Sequence, residues 1–224
     1  MTIPPGQYYA MTLAGMVASS LSFLGSTAVA LAARKATRTS IYQRLILGMC
    51  TADAISSLSL FIHPILLPKY VREEGLLWAS GNSQTCAFIG FVFVTTPVIV
   101  TFYSLYLSIY FFLKVKYNTN DVLIMDNFER PARYIAILLP LALGITGLAT
   151  HGYAPRVYHN VCGLGDCVIG QVDDCQYEQG LSWYLGWIQG ALIALPSVTA
   201  LILTIMVYLA VRKRLGATTS RFAF

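Results

Sequence analysis

The sequence predicts an all-helical, multi-pass membrane bundle, and three observations carry the prediction. Hydrophobic residues make up 56% of the chain and charged residues only 11%, with a mean hydropathy of +0.63, a balance far from that of a soluble domain. Five stretches are apolar over the roughly 20 residues that a helix needs to cross about 30 Å of hydrocarbon. Lysine and arginine gather in alternate connections. With no repeat, low-complexity tract or soluble segment, residues 1–224 read as a single membrane domain.

The first helix is expected at about 9–33, a run free of charge. The preceding "MTIPPGQYY" has neither a basic n-region nor a small-residue cleavage pattern, so it reads as a short outer tail and the helix as its own insertion signal. Gly15, Ser19, Ser22, Ser26 and Ala30 recur at helical spacing and form one stripe of small residues, a close-packing face. The second helix, about 45–67, carries Asp53 near its middle. The third, about 87–113, aligns Tyr103, Tyr106 and Tyr110, with Lys114 and Tyr117 continuing the line. Phenols in lipid require hydrogen-bond partners, so this side should face the bundle. The fourth helix is expected at 134–154 and the fifth at 181–211, separated by a long outer loop, 155–180. Pro64, Pro97, Pro140 and Pro196 fall within the helices, where each removes a backbone bond and favours a kink.

The basic residues orient the bundle. Twelve of the fifteen lie in the first and third connections and the C-terminal tail, against Lys69, Arg72 and Arg156 on the other side. Basic residues accumulate on the cytoplasmic face, so the N-terminus is read as outside and the C-terminus as inside, in the plasma membrane or another secretory-pathway membrane. Three acids join the inner face and six the outer, which makes them +9 and −3. A pI near 9.0 therefore reflects topology and contact with anionic inner-leaflet lipid, with no case for nucleic acid.

Four cysteines fall on the outer side: Cys86 at the start of the third helix, and Cys162, Cys167 and Cys175 in the long loop. An oxidising compartment suggests two disulfides, for which three pairings exist. Cys86 with Cys167, leaving Cys162 with Cys175, is slightly preferred. A zinc site is the weaker reading, because no CxxC pair is present. Cys50, inside the second helix, is most simply a small packing residue.

A carboxylate near the bilayer midplane costs roughly 2.5–3.5 kcal/mol on insertion scales, so Asp53 should face the interior or be protonated. Ser56 and Ser57 lie one turn on, along its face. A cation site, a proton relay and a buried structural hydrogen bond all remain open. His63, His151 and His159 lie toward the outer side as interfacial or loop residues, with no nucleophile elbow or paired metal motif, so an enzyme is the least expected function.

Several marks resemble G-protein-coupled receptors. Gly25-Ser26 stands where rhodopsin-like members have Gly-Asn, and Leu47 to Asp53 resembles their Leu-x-x-Ala-Asp. In "WASGNSQTC", Trp78, Gly81 and Cys86 match the Trp-x-x-Gly and third-helix cysteine of the family, and Pro196 resembles its fifth-helix proline. The resemblance implies a disulfide from Cys86 to the second outer loop and an outer ligand pocket using Thr96, Tyr103 and Trp187. It also implies a polar network of Asp53, Ser26, Ser56 and Ser57 able to hold sodium, with no other cofactor. Lys114, Lys116 and Arg212 would face a heterotrimeric G protein. The family's Asp-Arg-Tyr is missing, "YFFLKVKYN" standing in its place, and the fourth helix has no tryptophan. These departures point toward the divergent receptor-like families of single-celled eukaryotes, the cAMP-receptor-like branch included. The sequence ends after the fifth helix, where receptors continue to a sixth and seventh, so the resemblance implies an incomplete receptor. Two other functions stay open: a non-signalling membrane subunit that pairs laterally with a receptor, and a small-solute or ion transporter with Asp53 as coupling acid.

Overall fold

Backbone amides in an apolar run must be satisfied within the segment itself, and an α-helix does this without a partner. The computed structural model describes residues 5–36, 40–69, 78–117, 128–156, 161–164 and 179–221. Among them are α1 (Pro5–Ala36), α2 (Ile41–Leu66), α3 (Ser83–Tyr117), α4 (Arg130–Ala149) and α5 (Gln179–Arg221), each containing a span long and apolar enough to cross a membrane. All four intrahelical prolines stay within their helices.

The helix α3 is the axis of the bundle, packing against α2, α4 and α5, whereas α1 packs chiefly on α2. The core follows from that arrangement. Tyr103, Tyr106 and Tyr110 are buried with Val98 and Phe102 against Ile41 and Leu45 of α2 and Ala132 and Ala136 of α4. Gly48 makes room for them, since a Cβ there would lie 2.6 Å from the Tyr103 ring. Tyr117, at the end of the same stripe, is exposed.

The connection between α2 and α3 folds back on itself. Asn82 and Thr85 cap α3 reciprocally, the Asn82 N–H donating to Thr85 Oγ1 and the Thr85 N–H to Asn82 Oδ1, both at 2.8 Å. Thr85 Oγ1 also donates to the Leu66 carbonyl at the end of α2.

The sequence-based expectation of a fourth helix that runs to 154 is corrected. The helix α4 stops at Ala149, and His151, at φ 49°, turns the chain in the left-handed region. The His151 N–H donates to the Leu148 carbonyl and the Gly152 N–H to the Gly147 carbonyl, the two bonds of a Schellman ending. A short antiparallel hairpin follows, β1 (Tyr153–Arg156) pairing with β2 (Val161–Leu164), Tyr153 opposite Leu164 and Pro155 opposite Cys162. Its inner side chains pack with Val94, Leu143 and Leu185. Gly90 permits that approach, because a Cβ there would meet the Tyr153 ring at 2.8 Å. The Tyr153 hydroxyl donates to the Gly144 carbonyl at 3.1 Å, and burial pushes its phenol well above the usual pKa.

The preferred cysteine pairing is corrected as well. Cys86 is bonded to Cys162, not to Cys167. The hairpin supplies the reason: β2 lies along the start of α3 and brings Cys162 into a buried cluster with Leu67, Ala79, Cys86 and Ile89. Cys167 and Cys175 lie outside the described residues. Cys50 is buried and unpaired on α2.

At the opposite end of the bundle, Glu129 lies just before α4 with its side chain 3% exposed, accepting from Arg44 of α2 at 2.7 Å and from Arg133 at 2.5 Å. Glu129 is thus a buried clamp between α2 and α4.

Candidate functional site

Asp53 is half-buried on the side of α2 that faces α1. The small-residue stripe of α1 faces this side of α2, and two of its hydroxyls reach the carboxylate. Ser26 donates to Oδ2 in a short hydrogen bond, and Ser22 donates to the same oxygen at 3.4 Å. Ser57 donates to Ser22 Oγ at 3.0 Å, so it reaches the acid through a second serine rather than directly. Ser56 lines the same cavity. The structure thus brings together Asp53, Ser26, Ser56 and Ser57, and it adds Ser22. Side-chain spacing already placed Ser22 on the α1 stripe; which element that stripe packs against was a tertiary matter.

These residues line a cavity of about 550 Å³ between α1 and α2. Gly15 and Ser19 continue its α1 wall, and His63, three turns beyond Asp53, lies toward the hairpin end with Val161. His63 is 1% exposed, edge-on to Phe93. Its Nε2 accepts the Cys162 N–H at 2.5 Å, which ties α2 to the disulfide-bearing strand. A nitrogen that accepts carries no proton, so the neutral ring holds its proton on Nδ1. That N–H has no hydrogen-bond partner among the described residues.

The cavity offers hard oxygen donors from a carboxylate and several hydroxyls, suitable for a monovalent cation or an ammonium group. Among the described residues, no group of three His, Cys, Asp or Glu is placed to hold a metal ion. A second groove, of about 350 Å³ between α3 and α5, is lined by hydroxyls. There Thr101, Ser108, Ser197 and Thr204 each donate to a carbonyl one turn back on their own helix, so their donors are already used.

The remaining expected site residues are dispersed. Thr96 is buried and donates to the Val92 carbonyl, and Tyr103 is buried against Gly48, while Trp187 on α5 is 64% exposed. Neither cavity is lined by any of the three. Toward the C-terminal end of α3, the Lys116 ammonium lies 5.0 Å from the Phe112 ring centroid and 5.3 Å from that of Tyr117, and Lys114 is half-buried. Arg212 is exposed on α5. No protein-family model matches the chain, and no curated protein is similar to it.

Proposed function

We propose that this chain is a G-protein-coupled receptor-like integral membrane protein whose five helices correspond to the first five of that architecture. The N-terminus lies outside and the C-terminus inside, in the plasma membrane or another membrane of the secretory pathway. The reading is carried by one juxtaposition: the acid of the second helix is hydrogen-bonded to Ser26, the residue at the Gly-Asn mark of the first. Two further observations support it. The cysteine at the start of the third helix is bonded to the segment before the fifth, and disulfides belong to the oxidising side, opposite the twelve basic residues. Lys114, Lys116 and Arg212 then face the compartment of a G protein.

In this reading Asp53, with the Ser22 and Ser26 hydroxyls, holds a sodium ion. Thermal stability measured in sodium and in choline chloride at equal ionic strength tests it. The native chain gains stability in sodium and Asp53→Asn does not; equal behaviour of the two proteins removes the ion site.

A second reading is a lateral subunit that pairs with a receptor through the α5 face that exposes Leu201, Ile205 and Tyr208. Co-purification of a receptor from native membranes in mild detergent, lost on placing charges along that face, distinguishes it from the first.

A further inference from the structure

The Glu129 clamp leaves a charge over. Two guanidinium groups share one carboxylate, and among the described residues no other acid pairs with either arginine, so the group carries one net positive charge. The acid is covered, its side chain 3% exposed, whereas those of Arg44 and Arg133 are 33% and 50% exposed. The surplus charge thus lies on the outer side of the clamp. It is also held in place, because the two arginines sit on the two oxygens of one buried carboxylate, close enough for a single phosphate to reach both.

The surroundings are those of a lipid boundary. Tyr42, two residues before Arg44, and Tyr134, one after Arg133, are exposed, and tyrosines so placed belong at headgroup depth. Beyond the arginines both helices turn apolar. Ile55, three turns on from Arg44 along the same face, and Ile137, one turn on from Arg133, are exposed. The helices α2 and α4 lean on the same tyrosines of α3 and pack little on each other. A furrow floored by α3 therefore runs between them from the clamp into the apolar span.

We infer that an anionic glycerophospholipid docks here, its phosphate on Arg44 and Arg133 and one acyl chain in the furrow between α2 and α4. A phosphate offers several oxygens to the guanidinium forks, and its charge cancels the surplus. A zwitterionic lipid brings an ammonium that opposes that gain, a sterol offers one hydroxyl to two guanidinium groups, and free phosphate leaves the furrow uncovered. The orientation set by the basic residues puts the clamp at the leaflet that holds anionic lipid. The inference rests on the membrane reading and its orientation but not on the receptor one.

The experiment is thermal unfolding of the full chain in an uncharged detergent with dioleoylphosphatidylglycerol, dioleoylphosphatidylcholine, cholesterol or inorganic phosphate. About a hundredfold above its Kd, phosphatidylglycerol should raise the apparent Tm by roughly 5–10 °C, and the other three at the same concentration by little. Arg133→Gln leaves Glu129 held by Arg44 and should weaken phosphatidylglycerol binding about tenfold or more, seen in native mass spectra as loss of the lipid adduct. Lys213→Gln removes the same charge from an exposed position on α5 and should leave binding unchanged. Equal weakening by the two variants means attraction to basic residues in general and overturns the proposal, as does a shift from phosphatidylcholine, cholesterol or phosphate that matches the one from phosphatidylglycerol. A chain that alkaline carbonate strips from membranes overturns it together with the membrane reading, whereas a chain that stays inserted and shows no preference for phosphatidylglycerol overturns it alone.

Discussion

Glu129→Gln should be the most damaging single change at the end of the bundle away from the disulfide. The carboxylate is almost fully buried and accepts from two guanidinium groups, at 2.7 Å from Arg44 and 2.5 Å from Arg133. Removing one member of a buried ion pair costs about 3–5 kcal/mol, whereas exposed pairs are worth about 0.2–1 kcal/mol. The two arginines here are 33% and 50% exposed, so water and salt share in neutralising them once the acid is gone. The cost lies between the limits, about 2–3 kcal/mol. For a chain of this size that is a fall in apparent Tm of roughly 4–12 °C. Arg44→Gln should cost less, because Arg133 still holds the acid and because Arg44 Nε is buried with no hydrogen-bond partner among the described residues. Arg133→Gln should cost least, as a half-exposed partner one turn away on the same helix. Differential scanning fluorimetry of the three variants in one detergent reads the order. A Glu129→Gln protein within about 1 °C of the native one, or an Arg133 variant that is the worst of the three, would refute the burial argument.

Other consequences of the structure are open to measurement. Breaking the Cys86–Cys162 bond with Cys86→Ala opens a loop spanning a sequence separation of 76 and should cost about 4–5 kcal/mol in the chain-entropy account; non-reducing peptide mapping that finds Cys86 joined to Cys167 would contradict the hairpin packing. Gly48→Ala forces a methyl against the Tyr103 ring, so overpacking of about 1–3 kcal/mol should outweigh a gain in helix propensity of about 1 kcal/mol; a more stable variant would show that the ring can yield. Tyr153 holds a raised phenol pKa in the fold, so its contribution is complete below the unfolded value near 10 and fades as pH rises above it; Tyr153→Phe should lower stability by about 1 kcal/mol at neutral pH and flatten the alkaline loss, as pH-dependent melts would record.

Much of this molecule was legible in its residues. Five apolar runs, each of helix-spanning length, dictate five helices, because an apolar backbone has few other ways to satisfy its amides. Tyr103, Tyr106 and Tyr110 are on the buried side that their spacing assigned, whereas the stripe expected to pack closely on α1 lines a cavity at Gly15, Ser19 and Ser22. Such readings work because helical periodicity depends only on neighbours within two turns of one another.

What the residues could not decide is which surfaces meet. Asp53 was visible as an expensive charge, but its partners on α1 are 27 and 31 residues away. His63 Nε2 accepts from a backbone N–H 99 residues on, and Glu129 reaches Arg44 across 85. The cysteine pairing turned on a hairpin that α4 permits by ending at Ala149, before a turn at His151 whose left-handed backbone no local pattern announced. Sequence by itself therefore settled what kind of segments this chain has and which of their faces are buried. The tertiary structure alone decided which acid, hydroxyl, imidazole and thiol come within reach of one another, because those choices rest on packing between elements distant in the chain.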